Sequence, residues 1–169
     1  LINEVQITEV TSIDEALMEE LMELLIDVVD EGASVGFLPP LSREEARKHW
    51  ESVLKPDAIL WIARLNHKVC GAIQMHLTLK TNGVHRAEVA KLMVHSHQRR
   101  KGIGRALMTA LESRAKVEEK SLLVLDTRSG DPSNILYKSL GYVEVGIIPD
   151  YAKSADGNLE ETVLYYKKL

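Results

Sequence analysis

Apolar residues recur at helical spacing from Ile13 to Val29, with Leu17, Leu21, Leu24, Leu25 and Val28 on one face. This stripe predicts a first helix, capped by Ser12 or Asp14. Just before it, "EVQITEV" alternates apolar and polar positions and reads as a strand. The helix gives way to "EGASVGFLPP", whose glycines and prolines predict a loop. "LSREEARKHWESVL" then carries Ser42 with Glu45 three residues later, a capping box opening a second helix. "AILWIARL", the turn "NHK" and "VCGAIQMHLTL" form a hairpin, and a further strand spans about Arg86 to Val94.

From Ile103 the pattern is helical again: Ala106, Leu107, Ala110, Leu111 and Ala115 make one stripe, with Glu112 and Lys116 expected to pair on the outside. "SLLVLDT" is a short apolar strand ending on an acid. "GDPSNILYKSLGY" predicts a short helix with Pro132 in its first turn and Gly141 at its end. "VEVGII" and "ETVLYYKKL" complete the set as strands. The order β-α-α-β-β-β-α-β-α-β-β predicts an α/β (α+β) fold, a mixed sheet with helices against it. With no linker, repeat or low-complexity stretch, residues 1–169 are expected to form one domain.

Composition narrows the function classes. A net charge of −4 makes the whole chain a poor general partner for nucleic acid or an anionic membrane. Apolar runs are too short for a spanning helix, and no secretory leader is visible, so a cytoplasmic, reducing setting is expected. Cys70 is the only cysteine and reads as a small core residue; no disulfide or thiolate metal site follows. The six histidines make no metal signature, and His95 and His97 read as solvent-facing or phosphate-adjacent.

Against that acidic background, "HQRRKGIGRAL" (97–107) gathers Arg99, Arg100, Lys101 and Arg105 around Gly102 and Gly104. A strand, a glycine-rich turn and a helix start bring several free N–H groups to one point, where the helix dipole also favours an anion. Basic residues at a helix start oppose that dipole unless an anion is bound. The quantity of charge suits a pyrophosphate better than a single sulfate. The Walker and dinucleotide patterns are both missing, and an aromatic content of 5% gives a nucleic-acid patch little to stack with. A plain helix start with solvated arginines remains the alternative.

"RRKGIG" resembles the [QR]-x-x-G-x-[GA] signature of the GCN5-related N-acetyltransferases (GNAT), on the strand-turn-helix where that family carries it. "KLMV" before it, then "LLVLDT" and "LYKSLGY" after it, resemble the family in the expected order. "EGASVGFL" and "RAEVAKLMV" further resemble a bacterial subgroup that includes a tabtoxin resistance acetyltransferase. The resemblance implies a mostly antiparallel mixed sheet of about seven strands with about four helices, splayed between the fourth and fifth strands. It also implies acetyl-CoA as donor and an amine as acceptor.

Carried over by residue, Arg99, Arg100, Lys101, Gly102, Ile103, Gly104 and Arg105 hold the pyrophosphate, through backbone amides and surrounding charge. Met93 and Val94 offer main-chain groups to the pantetheine, and an N–H there stabilises the oxyanion. Glu88 and Asp126, isolated acids in apolar strands, are the candidates for the base that deprotonates the amine or for its binder. An ion pair of Glu88 with Arg86 or Lys91, or capping of the turn "TRSGD" by Asp126, would be purely structural alternatives. Tyr137 matches the tyrosine that protonates the departing thiolate. Ser133 is assigned close contact with the cofactor. The family's usual asparagine is replaced by Gly130, and Asn134 is out of register for its role.

Acceptor specificity is expected from "EGASVGFLPP" and "IPDYAKSADGN", with Phe37 and Tyr151 bounding a small pocket. The closer resemblance implies a β-lactam toxin of tabtoxin type, acetylated for self-resistance. Other small amines or a protein N-terminus are alternatives, as is a non-catalytic acyl-CoA sensor. Such domains often pair as homodimers, which the sequence leaves open.

Overall fold

The computed structural model describes residues 4–169. One seven-stranded sheet carries the order β1-β2-β3-β4-β5-β7-β6. Its strands are β1 (Gln6–Val10), β2 (Ala58–Leu65), β3 (Lys68–Leu77), β4 (Arg86–Val94), β5 (Leu122–Arg128), β6 (Val143–Lys153) and β7 (Leu159–Lys168). The helices are α1 (Glu15–Asp30), α2 (Arg43–Glu51), α3 (Ile103–Val117) and α4 (Ser133–Ser139). All neighbouring strands are antiparallel except β4 and β5. This is the expected mixed, mostly antiparallel sheet with four helices.

The helices form where the local chemistry starts them. Asp14 caps α1 by accepting from the Leu17 amide at 2.8 Å. At α2 the Ser42 hydroxyl accepts from the Glu45 amide at 3.1 Å while the Glu45 carboxylate accepts from the Ser42 amide at 3.2 Å. Together these contacts satisfy two otherwise orphaned donors. The apolar stripe of α1 and the Trp50 ring of α2 bury against one face of β2, β3 and β4. The stripe of α3, with Tyr137 of α4, buries against the other face. Among the described residues no helix is long and apolar enough to cross a membrane.

Two local expectations are corrected. Pro149 and Asp150 suggest a loop, yet β6 runs through them to Lys153. The pairing with β7 skips between Ile148 and Ala152, and Asp150 takes a left-handed φ of 52°. An irregular edge strand tolerates a proline that a central strand would reject. The loop before β7 is therefore only residues 154–158. Glu112 does not pair with Lys116; it turns toward the sheet and meets Lys167 of β7 at 2.8 Å.

Candidate active site

The turn between β4 and α3 is held open toward solvent. Arg100 and Gly102 both adopt left-handed φ, 61° and 76°. Among the described residues, no backbone N–H from Arg99 to Arg105 donates to a protein acceptor; the first that does is Ala106, to the Gly102 carbonyl at 3.0 Å. Successive unpaired amides at a helix start form a concavity for an anion. A Cβ on Gly102 would meet nothing within 4 Å, so glycine serves the backbone angle there. At Gly104 it serves close approach, because a Cβ would stand 3.2 Å from Leu136 on α4.

Arg99, Arg100 and Lys101 are exposed around this turn, and Lys101 reaches back to Gln98 at 2.7 Å. Arg105 instead extends to the Ser139 hydroxyl at 2.7 Å, and the Ile103 side chain is in the core. From behind, Asp27 of α1 accepts both the Ser96 amide (2.8 Å) and its hydroxyl (2.7 Å). His95 lies 3.6 Å from the same carboxylate, half-buried rather than solvent-facing, while His97 is exposed. Asp27 gave no signal in the sequence, where it is one acid among many on an amphipathic helix.

The sheet opens where the resemblance implies. β4 and β5 pair only from Arg86 to Glu88 against Leu122 to Val124, and beyond that the two strands continue without pairing to each other. On its other edge β4 carries a bulge, with Lys91 and Leu92 between the positions that face Ala72 and Gln74, and Lys91 at φ 56°. The His95 amide donates to Cys70 of β3 at 2.8 Å, and a Cβ on Gly71 would stand 3.0 Å from the Met93 carbonyl. Strand alternation therefore turns the N–H and C=O of Val94 toward the gap. Met93 gives its main chain to β3 and its side chain to the core beneath α1. Of the two residues, only Val94 can present main-chain groups to a ligand in the gap. Cys70 is a core residue, its thiol pushed up by burial.

Glu88 registers with Val124, so Asp126, two residues further along, lies on the same sheet face. That face is opposite to the one buried by Ala87, Val89, Leu123 and Leu125 against α3. Glu88 is exposed and forms neither an ion pair nor a hydrogen bond among the described residues, so the pairing with Arg86 or Lys91 is not made. The Asp126 carboxylate accepts the Thr162 hydroxyl at 2.7 Å. The following turn is held by others: Arg128 to Asp131 at 3.0 Å, and the Asn134 amide to the carbonyls of Arg128 and Asp131, each at 2.9 Å.

Tyr137 is 5% exposed, with its ring against Tyr142 and Tyr165 at 5.8 and 6.0 Å between centroids. Burial first, then the charge of Asp126, pushes its hydroxyl well above the ordinary tyrosine value. The Ser133 hydroxyl is tied to Thr127 at 2.6 Å, and Asn134 also accepts the Tyr165 hydroxyl at 2.7 Å. Both side chains are thus engaged within the protein. Gly130 is exposed, with φ 82° and nothing within 4 Å of a Cβ.

On the α1 side of the gap, Phe37 is joined by Lys91 and His49, neither of which sequence reasoning placed at the pocket. Lys91 donates to the Val35 carbonyl at 2.6 Å and lies 5.8 Å from the Phe37 ring centroid. Burial lowers its pKa, while Glu88 and Asp126 act in the opposite sense. His49 meets Phe37 edge-on at 5.3 Å. Burial, then Lys91, lowers the His49 pKa to about 4, so the imidazole is neutral. Its Nε2 is buried without a partner among the described residues. A lysine inside the apolar run "RAEVAKLMV" is the same signal that singled out Glu88, and it applies equally to Lys91. Further out, residues 32–34, 36–39 and 152–155, with Arg128, enclose a cleft of about 250 Å³. Phe37 lines it; Tyr151, 54% exposed on β6, does not.

Residues 56–144 match the acetyltransferase (GNAT) domain family. An uncharacterized N-acetyltransferase of Azospirillum brasilense, from the hisH-hisA intergenic region, is 29% identical over 114 residues, 66% of this chain and 68% of that protein. Among solved structures, the ribosomal-protein-alanine N-acetyltransferase of Brucella melitensis superposes with a TM-score of 0.80 at 20% identity, covering 97% of this chain and 99% of that one. An aminoglycoside 6'-N-acetyltransferase complexed with coenzyme A superposes at 0.76 with 20% identity, covering 96% of both chains. The chain thus belongs to the GNAT family of acetyltransferases and is an N-acetyltransferase with acetyl-CoA as its acetyl donor.

Proposed function

We propose that the protein acetylates the amine of a small molecule by direct attack on acetyl-CoA, with Glu88 as base and Asp126 as holder of the acceptor. The observation that carries this reading is the placement of Glu88 and Asp126 on one face of the gap between β4 and β5. The free amides at Arg99 to Arg105 lie at the end of β4. These amides, with Arg99, Arg100 and Lys101 around them, bind the pyrophosphate. The N–H and C=O of Val94 pair with the pantetheine arm and orient the thioester in the gap.

An ammonium cannot attack, so a proton must leave first. Glu88, with no partner of its own, has its lone pairs free to take it. Asp126 is anchored by Thr162 and suits a fixed role, accepting a hydrogen bond from the acceptor nitrogen. The new N–C bond forms as the C–S bond breaks, and the amine proton leaves through Glu88 to solvent. A thiol titrates near 8.5 and a tyrosine near 10, so full proton transfer from Tyr137 to the thiolate is uphill by about 2 kcal/mol or more. Burial of Tyr137 widens that difference. Tyr137 therefore stabilises the departing sulfur by donating a hydrogen bond, and the sulfur takes its final proton from water.

A cleft of about 250 Å³, bounded by Phe37, suits a small molecule better than an extended peptide. Within that class we infer an amino-acid-like toxin of the tabtoxin type, on the resemblance of "EGASVGFL" and "RAEVAKLMV". The solved relatives named for a ribosomal-protein alanine and for an aminoglycoside mark the breadth of acceptors on this fold.

The test is thiol release from acetyl-CoA with purified protein and a panel of amines, followed by Glu88→Gln and Asp126→Asn. Glu88→Gln is expected to lower kcat by about 100-fold and flatten the alkaline rise of the rate. Asp126→Asn should act mainly on KM for the amine. Tight acetyl-CoA binding without turnover of any amine would favour a sensor, and wild-type rates in both variants would reject the assigned roles.

A further inference from the structure

The cleft beside the gap has a charge pattern that the transfer reaction itself does not require. Its only charged lining residues are Arg128 and Lys153, both cationic, in a chain of net charge −4. Arg128 is 23% exposed at its side chain and fixed at two points, to Asp131 at 3.0 Å and to the Gly32 carbonyl at 3.0 Å. Those bonds engage Nε and one terminal nitrogen, which leaves the other guanidinium nitrogen without a protein acceptor among the described residues. Lys153 is exposed and forms no ion pair among the described residues.

Arg128 and Asp126 are two residues apart on β5, so they share a sheet face about 6.6 Å apart along the strand. One face of β5 thus offers a carboxylate and then a guanidinium at that spacing. An amine held at Asp126 brings any anionic group a few ångströms away from it within reach of Arg128. The rigid mounting matters as well: a guanidinium already held at two points loses little freedom when it takes a carboxylate.

We propose that this cleft is a carboxylate subsite, in which Arg128 and Lys153 select amine acceptors that carry a carboxylate near the reacting nitrogen. The proposal rests on the reading that Glu88 and Asp126 receive the amine. It deepens that reading by naming the acceptor class as amino acids and their analogues.

The experiment compares kcat/KM for matched acceptors, free amino acids against the corresponding amino-acid amides, in wild type, Lys153→Glu, Arg128→Lys and a remote control, Lys116→Glu. Lys116 is exposed on α3, across the sheet from the cleft. Wild type is expected to prefer the acid over the amide, and Lys153→Glu to lower that preference by about tenfold, equivalent to about 1.4 kcal/mol. Arg128→Lys should lower it as well, because the fork is lost while the charge remains. The control should keep the wild-type ratio. Thermal melts on the same samples separate misfolding from lost selectivity, since a folded variant with the wild-type ratio counts against the proposal. Equal turnover of acids and amides by wild type would overturn the subsite and leave the acetyltransferase reading intact. Turnover of neither, nor of any other amine, would instead remove the reading beneath it.

Discussion

Gly102 offers the sharpest test of how the turn before α3 works. Its φ of 76° is left-handed, yet a Cβ there would touch nothing within 4 Å. Within the free protein Gly102→Ala therefore perturbs only the backbone angle. Holding alanine in that region is unfavourable by about 1–2 kcal/mol. Asparagine visits it more readily.

That strain must surface in one of two places. If the free turn keeps its shape, the variant is less stable, with a partial offset of about 0.4–1 kcal/mol from its stiffer unfolded chain. If the free turn relaxes, the strain returns when acetyl-CoA forces the shape back, and affinity falls by about 5–30-fold. Urea unfolding and calorimetric titration with acetyl-CoA measure both. The two losses, corrected for the offset, should sum to about 1–2 kcal/mol in Gly102→Ala and to less in Gly102→Asn. Gly104→Ala is the contrast: its Cβ meets Leu136 at 3.2 Å, so it should act on stability far more than on affinity. No loss in either measurement for Gly102→Ala, or an asparagine variant as impaired as the alanine one, would refute the argument.

Asp27 anchors the same turn from behind, so Asp27→Ala leaves the Ser96 amide and hydroxyl without their acceptor. Hydrogen bonds to charged groups contribute about 1.5–3 kcal/mol. A fall in melting temperature is expected together with an acetyl-CoA Kd raised by about tenfold; an unchanged Kd would show that α1 does not position the turn. His49 sets an acid limit. Its pKa is lowered in the folded state to about 4, against about 6.5 unfolded. The unfolded chain therefore binds the proton first, and stability falls as pH drops from about 6.5 to about 4, then levels off. The full shift corresponds to at most about 3 kcal/mol, less with solvent screening at this partly exposed ring. Urea midpoints across that range should drop more in wild type than in His49→Phe, and parallel curves would remove His49 as the cause.

The elements were legible where local chemistry decides them. The capping box at Ser42, the turn after Leu65 and the apolar stripe of α3 each mark a boundary that tertiary context does not move. The open turn before α3 was legible for the same reason, since its amides, glycines and charges are contiguous from Arg99 to Arg105. What the sequence left open shares a cause as well. Whether Met93 or Val94 faces the gap depends on which edge of β4 is taken by β3 and on a bulge at Lys91. Whether Arg105 surrounds the turn depends on Ser139, on a different helix. The continuation of β6 through Pro149 depends on its place at the sheet edge. No stretch of sequence contains these facts, because each is a relation between segments far apart in the chain.

The acceptor side is the extreme case, and Lys91 shows why it should be read as one unit with the chemistry. Its ammonium is half-buried, which disfavours the charge, and the nearby carboxylates Glu88 and Asp126 favour it. That charge donates to the Val35 carbonyl and so holds the loop that carries Phe37 over the gap. Burial keeps His49, behind Phe37, neutral, and the same charge adds to that effect. The two acids proposed to handle the amine thus also help keep in place the loop that bounds its pocket. Neutralising either one weakens the field at Lys91, and neutralising both leaves a half-buried ammonium with the Val35 carbonyl and the Phe37 ring as its remaining partners. Substitutions at Glu88, Lys91 and Asp126 should therefore not combine additively, since they share one electrostatic partner rather than three independent sites. The left-handed bulge at Lys91 follows from the same arrangement: it takes a side chain from a strand that faces the core and turns it toward the two acids and the loop at once.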